Sequence, residues 1–145
     1  MSAELLIANL LPVAKDDLEG ARLLSPQLNR NAIYLCVQAA EKIIRAVLTS
    51  NGKHAGIRHE LRDMVNLVPD ENPVKPALRA MEHLAAYATS YRYPTVSGRI
   101  TASPGKPILE EAASKVETAL GMVSGRLSVD LAKPNTPAIH LGPIR

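Results

Sequence analysis

"VQAAEKIIRAVL", residues 37–48, decides how this chain folds. Placed on a helix, Gln38, Glu41, Lys42 and Arg45, with Tyr34 a turn earlier, fall within one arc of about a hundred degrees. Ile33, Val37, Ala40, Ile43, Ile44, Val47 and Leu48 fill the remainder, with Cys36, Ala39 and Ala46. A helix apolar around most of its circumference must touch several neighbours, so this stretch reads as the central rod of a bundle. Its hydrophilic strip is narrow and mixed in charge. Glu41 and Arg45 stand four apart, in the favourable order for an ion pair.

Working outward, the helical period continues on both sides. Residues 3–24 carry Ile7, Leu10, Leu11, Ala14, Leu18, Ala21 and Leu24 at helical spacing. Ser2 is placed to cap that helix, and Pro12 either kinks it or splits off a leading turn. "SPQLNRN" (25–31) is a break, after which the central helix runs from Asn31, an expected cap, to Ser50. "NGKHAG" ends it. A short third helix is expected over 59–68, and "PDENP" then turns the chain. A fourth is expected over about 74–92, with Pro73 and Pro76 near its start, where proline is tolerated, and Pro94 at its end. Its inward face on the wheel is Ala77, Met81, Leu84 and Ala88. "TVSGRITASPGKP" is a loop. A fifth helix over about 107–127 presents Leu109, Ala112, Ala113, Val116, Leu120, Val123 and Leu127. The expected fold is all-α, an up-and-down bundle of four longer helices and one short one over residues 1–127. The proline-containing segment 128–145 has no usable period and reads as an extended tail, either loose or laid on the domain or a partner.

Composition agrees with this reading. The 145 residues suit one domain. Apolar residues make up 46% and aromatics only 3%, with no Trp and no Phe, so the core must be built from Leu, Ile, Val, Ala and Met. The net charge of +3 and pI near 9.2 are compatible with a polyanionic partner without requiring one. Cys36 is the single cysteine, which excludes an internal disulfide framework; its apolar neighbours mark a core thiol rather than a nucleophile. The first residues lack a basic leader and a cleavage site, and no apolar run is long enough to span a bilayer, so a cytoplasmic protein is expected.

Two features point to a site. Arg92 lands on the inward side of the fourth helix, flanked by Tyr87 and Tyr91, and an inward guanidinium needs an acceptor. Either it approaches Glu41, with His59 nearby, or it snorkels to solvent at the helix end. "YRYP" (91–94) either stacks a base between Tyr91 and Tyr93 or covers the bundle's end or a dimer seam.

In order and spacing, "DDLEGARLL", "NAIYLCVQAAEKIIRAVL", "HELRDMV" and "AAYATSYRYP" resemble the HEPN domain family (higher eukaryotes and prokaryotes nucleotide-binding). The "QAAEK" core, the following His59-x-Leu61 and the closing "RYP" carry the resemblance, over about residues 14–120. It implies a helical bundle that dimerises with a second copy. It also implies a genetic setting beside a minimal nucleotidyltransferase, as in toxin–antitoxin modules, and for many members metal-independent ribonuclease activity. The family's catalytic mark is an Arg followed, after four to six residues, by a His. Here the positions counted from Arg92 hold Ser97, Gly98 and Arg99, while Arg79 and His83 are only four apart and point outward on the wheel. A histidine acid or base is missing from its expected place.

Other chemistries find no footing. There is no Glu-x-x-His pair for a di-iron bundle and no Cys/His spacing for zinc, so neither metal nor cofactor is expected. "NGKHAG" does not fit a phosphate-cradling loop and reads as a surface turn. The loop with Arg99 and Lys106 either clamps a phosphate at the start of the fifth helix or is simply solvated. The expected function is a non-catalytic module that binds a nucleotide, RNA or a partner protein. Its candidate contacts are Gln38, Glu41, Lys42, Arg45, Tyr91, Arg92, Tyr93 and Arg99. The alternative is a ribonuclease with an altered centre, using Arg92 and His59.

Overall fold

A computed structural model of the protein describes residues 3–54, 56, 60–87 and 93–138. The periodic stretches fold as their spacing requires. α1 (Ala3–Leu24) buries Ile7, Ala8, Leu11, Ala14, Leu18 and Ala21 along one stripe. It runs through Pro12 as one helix. The proline forfeits one backbone bond, but Leu11 and Ala14 on either side are fully buried and keep the helix seated. A short 3₁₀ turn (Ser25–Gln27) follows, and Leu28 at φ 51° reverses the chain.

α2 (Asn31–Ser50) is the central rod: from Ala32 to Ser50 every residue is buried or half-buried. Its start corrects one expectation. Asn31 is the first helical residue rather than the cap; the cap position is Arg30, whose side chain makes no capping bond, and Asn29 just before it accepts the Asn31 N–H on Oδ1 (2.9 Å) and the Ala32 N–H on its carbonyl (3.0 Å). The left-handed Leu28 turns the chain so that Asn29, not Asn31, faces the open N–H groups.

α1 packs chiefly on α2, and the pair is antiparallel. Asp17 meets Lys42, Leu10 lines a groove with Leu48, and a Cβ on Gly20 would come within 3.1 Å of Leu35. Along these contacts, positions fall on α1 as they rise on α2. The long C-terminal helix (Lys106–Arg126, named α5 below) packs on both. Arg22 donates to both carboxylate oxygens of Glu117 there, at 3.3 and 3.0 Å.

The third side is built from short pieces. α3 (Leu61–Asn66) is shorter than expected. The expected fourth helix is not continuous over its described part: α4 (Lys75–Arg79) gives way to a 3₁₀ segment (Glu82–Ala86). The buried residues explain the break. Lys75, Leu78, Met81 and Leu84 recur every three positions. In an α-helix that spacing would carry Leu84 roughly 180° around from Lys75, whereas 3₁₀ winding stacks them on one face. The bonds Met81 N–H to Leu78 O and Leu84 N–H to Met81 O, both 3.0 Å, are of this tighter kind. Leu78 therefore takes the inward place assigned to Ala77, which is only half-buried. The buried Lys75 ammonium is satisfied by the Val68 carbonyl and the Asp70 carboxylate.

Residues 128–138 have no helix and lie back on the domain. Asn135 and Asn9 bond reciprocally (2.8 and 3.2 Å), Ala138 donates to the Glu4 carbonyl (3.1 Å), and Val129 and Leu131 pack on the core. The described residues form an all-α bundle without a strand, and none of their helices is long and apolar enough to cross a membrane.

Candidate binding site on the central helix

The hydrophilic seam of α2 is half-enclosed, as its narrow arc requires. Gln38 donates to the Tyr34 hydroxyl at 2.9 Å. Arg45 reaches Glu41 through Nε (3.2 Å) and Nη2 (3.1 Å), so the ion pair expected from their spacing forms. Arg45 Nη1 also reaches the Gly56 carbonyl at 3.4 Å. Lys42 pairs across the helix interface with Asp17 of α1. Side chains of the first pair are 24% and 17% exposed and those of the second 24% and 18%. At that depth a charge without a partner is costly. The two ion pairs let the seam lie against its neighbours.

Asp17 was not legible as part of the seam. A signal for it exists, because it sits between the buried Ala14 and Leu18 on α1, where a carboxylate bordering an apolar stripe needs a counter-charge. The expected approach of Arg92 to Glu41, and the roles given to Tyr91 and His59, lie outside the described residues. Arg79 and His83 do not form a site: Arg79 pairs with Glu82 and Asn66 at 2.7 and 2.9 Å, and His83 is exposed.

Tyr93 and Arg99 flank a tight turn remote in sequence from the seam. Thr95 N–H donates to the Arg99 carbonyl and Gly98 N–H to the Thr95 carbonyl, both at 2.7 Å, while Arg99 N–H donates to Thr95 Oγ1 at 3.1 Å. Gly98 supplies the φ of +83° that the turn needs. Tyr93 is 64% exposed in the single chain. Arg99 is exposed beside it.

At the C-terminal end of the seam lies a groove of about 490 Å³. Leu6 and Leu10 of α1 supply its apolar surface above the buried Leu48 of α2; Arg45, Lys53 and His54 supply its ionisable groups. The surface turn expected at "NGKHAG" thus also forms one wall of a concavity, which its sequence did not reveal.

The single thiol is embedded. Burial pushes Cys36 up to about 11, with Arg22 pulling weakly the other way. It therefore stays protonated near neutrality, and a thiol is a poor nucleophile. Among the described residues no group of three or more His, Cys, Asp or Glu side chains is placed to hold a metal ion.

An all-helical bundle wrapped around one nearly enclosed rod, with a single charged seam, is the class these features define. The HEPN domain family matches residues 7–125, and the chain belongs to that family. The crystal structure of an archaeal HEPN homologue has the same fold, with a TM-score of 0.57 and 18% identity over 81% of this chain and 93% of that one. No curated protein matches the chain in sequence.

Proposed function

We propose that this HEPN domain is a non-catalytic binding module for a nucleotide or an RNA strand, working in the cytoplasm as a homodimer. The observation that carries this reading is what stands at the positions of the family's catalytic histidine. Ser97, Gly98 and Arg99 occupy them and are committed to the hydrogen-bonded turn with Thr95. Without a histidine there, the proton transfers of RNA cleavage lack their usual agent. The exposed Tyr93 and Arg99 and the basic end of the α2 seam still suit an anionic, base-bearing ligand. A minimal nucleotidyltransferase, encoded alongside in a toxin–antitoxin arrangement, is the protein partner that the family favours.

Incubation of the purified protein with labelled RNA tests the reading. The expected result is retention of RNA on a filter with no cleavage. Cleavage that Arg92→Ala abolishes would instead establish a ribonuclease with an altered centre. Light scattering at micromolar concentration should report a dimer, and a monomer would remove the homodimer from the proposal.

A further inference from the structure

We propose that the groove at the end of α2 is the seat of one phosphate-bearing nucleotide, with the phosphate on Lys53 and His54 and the base against Leu6 and Leu10. This rests on the reading of the domain as a nucleotide or RNA binder and gives that binding a place and a ligand class.

Shape comes first. A volume of about 490 Å³ lies within the range that small-molecule sites occupy. The exposed surface of the groove is mainly apolar, and its ionisable side chains come from α2 and the turn that ends it, which fits a ligand having one apolar face and one charged end.

The sign of that end follows from the donors. Arg45, Lys53 and His54 are the ionisable side chains lining the groove, and no carboxylate lines it among the described residues. Arg45 is paired with Glu41, so it forms a wall. Lys53 and His54 are exposed, and no carboxylate of the described residues pairs with either. His54 accepts the Gly56 N–H on Nδ1 at 2.8 Å, which leaves Nε2 as its donor. Two such donors beside each other match the several acceptor oxygens of a phosphate.

The backbone softens the main objection. A helix C-terminus normally presents carbonyl oxygens and repels anions. Here the Val47, Leu48 and Thr49 oxygens are occupied. Asn51 donates to Val47 from both its backbone and its side chain, Lys53 N–H caps the Leu48 carbonyl at 2.8 Å, and Gly52 N–H caps Thr49 at 3.1 Å. Gly52 at φ +68° makes this closure possible. The same closure positions Lys53 and His54 beside the groove.

The base end is less polar but not featureless. The Thr49 hydroxyl lines the groove with its proton committed to the Arg45 carbonyl at 2.8 Å. Its oxygen therefore offers only lone pairs, which suit an amino-bearing base such as adenine.

The ligand has two possible sources, a free mononucleotide or the 5′-phosphorylated end of an RNA. Amide chemical shifts distinguish them on titration with 5′-AMP, adenosine, and short oligoribonucleotides with and without a 5′-phosphate. The expected result is shifts at Gly52, Lys53 and His54 with AMP or the phosphorylated oligonucleotide, and much weaker ones with adenosine or the 5′-hydroxyl strand. Lys53→Glu, at an exposed position, should keep the parent circular-dichroism spectrum and weaken binding about tenfold or more. Saturation by AMP identifies a free nucleotide, and response to the phosphorylated strand alone identifies an RNA end. RNA binding that maps elsewhere, or that Lys53→Glu leaves unchanged, overturns the groove while leaving the binding module intact. Equal affinity for AMP and adenosine removes the phosphate assignment. Absence of binding by every probe overturns both readings.

Discussion

α2 and the stretch from Lys75 to Ala86 are both apolar helical segments, yet they wind differently. In α2 the buried residues recur at both three and four positions, as in Cys36, Ala39, Ala40, Ile43 and Ile44, and the segment holds a regular α-helix for 20 residues. Between Lys75 and Leu84 the buried residues recur only at three, and after the short α-helical turn Lys75–Arg79 the chain tightens into 3₁₀ geometry. The difference teaches that burial period, more than intrinsic propensity, sets the hydrogen-bond pattern where a segment must lie flat on a core.

The sharpest way to break this comparison is to empty one site in each region. Ile44→Ala, in the enclosed rod, should cost about 4 kcal/mol in urea denaturation, because close-packed neighbours on several sides cannot collapse into the cavity. Met81→Ala should cost about 2 kcal/mol, because a short segment can shift to fill the gap. Equal costs would mean that the two regions are equally rigid.

The seam offers a second contrast, with the exposed ion pairs of α5. Lys42→Met should cost roughly 2 kcal/mol, since it strands the half-buried Asp17 carboxylate. Lys115→Ala should leave the denaturation midpoint close to that of the parent, because Lys115 and Glu111 are 34% and 64% exposed. It should still register by NMR titration: the Lys115 hydrogen bond and charge hold Glu111 below the usual carboxylate range, and its loss returns Glu111 toward that range.

Cys36 tests how dry the rod is. Its folded thiol holds its proton up to about 11, against an ordinary value of 9.0. The native state therefore binds more protons than the unfolded state in that window. The thiol's contribution is full below the ordinary value and is lost as pH rises through the folded one, at a slope of about 1.4 kcal/mol per pH unit. Stability measured against pH should show that decline in the parent and lack it in Cys36→Ala. Smaller still is Gly52→Ala, at about 1 kcal/mol, from forcing a side chain into the left-handed closure of α2.

Most of the architecture was legible because α1, α2 and α5 carry long 3.6-residue periods, and their ends fall within a residue of expectation. The segment from 74 to 87 was not, because Met81 and Leu84 fit an α-helical stripe and a three-residue stripe alike; Leu78 and Lys75 decide between them only once burial is seen. The Glu41–Arg45 pair was legible because both partners lie on one helix. The Lys42–Asp17 pair was not, because its geometry depends on how α1 and α2 slide past each other. The groove beside Lys53 and His54 was not legible for the same reason: it is made by two elements, and one sequence stretch shows only its own wall.

The seam is closed along its middle, where Lys42 is tied to Asp17, and borders an open groove at its end, beside Lys53, where the proposed nucleotide would sit. Isothermal titration of 5′-AMP into Lys42→Gln and Lys53→Gln tests that division directly. Lys53→Gln should bind about fivefold more weakly or worse, and Lys42→Gln should stay within about twofold of the parent. Loss of binding in Lys42→Gln with Lys53→Gln unaffected would contradict it.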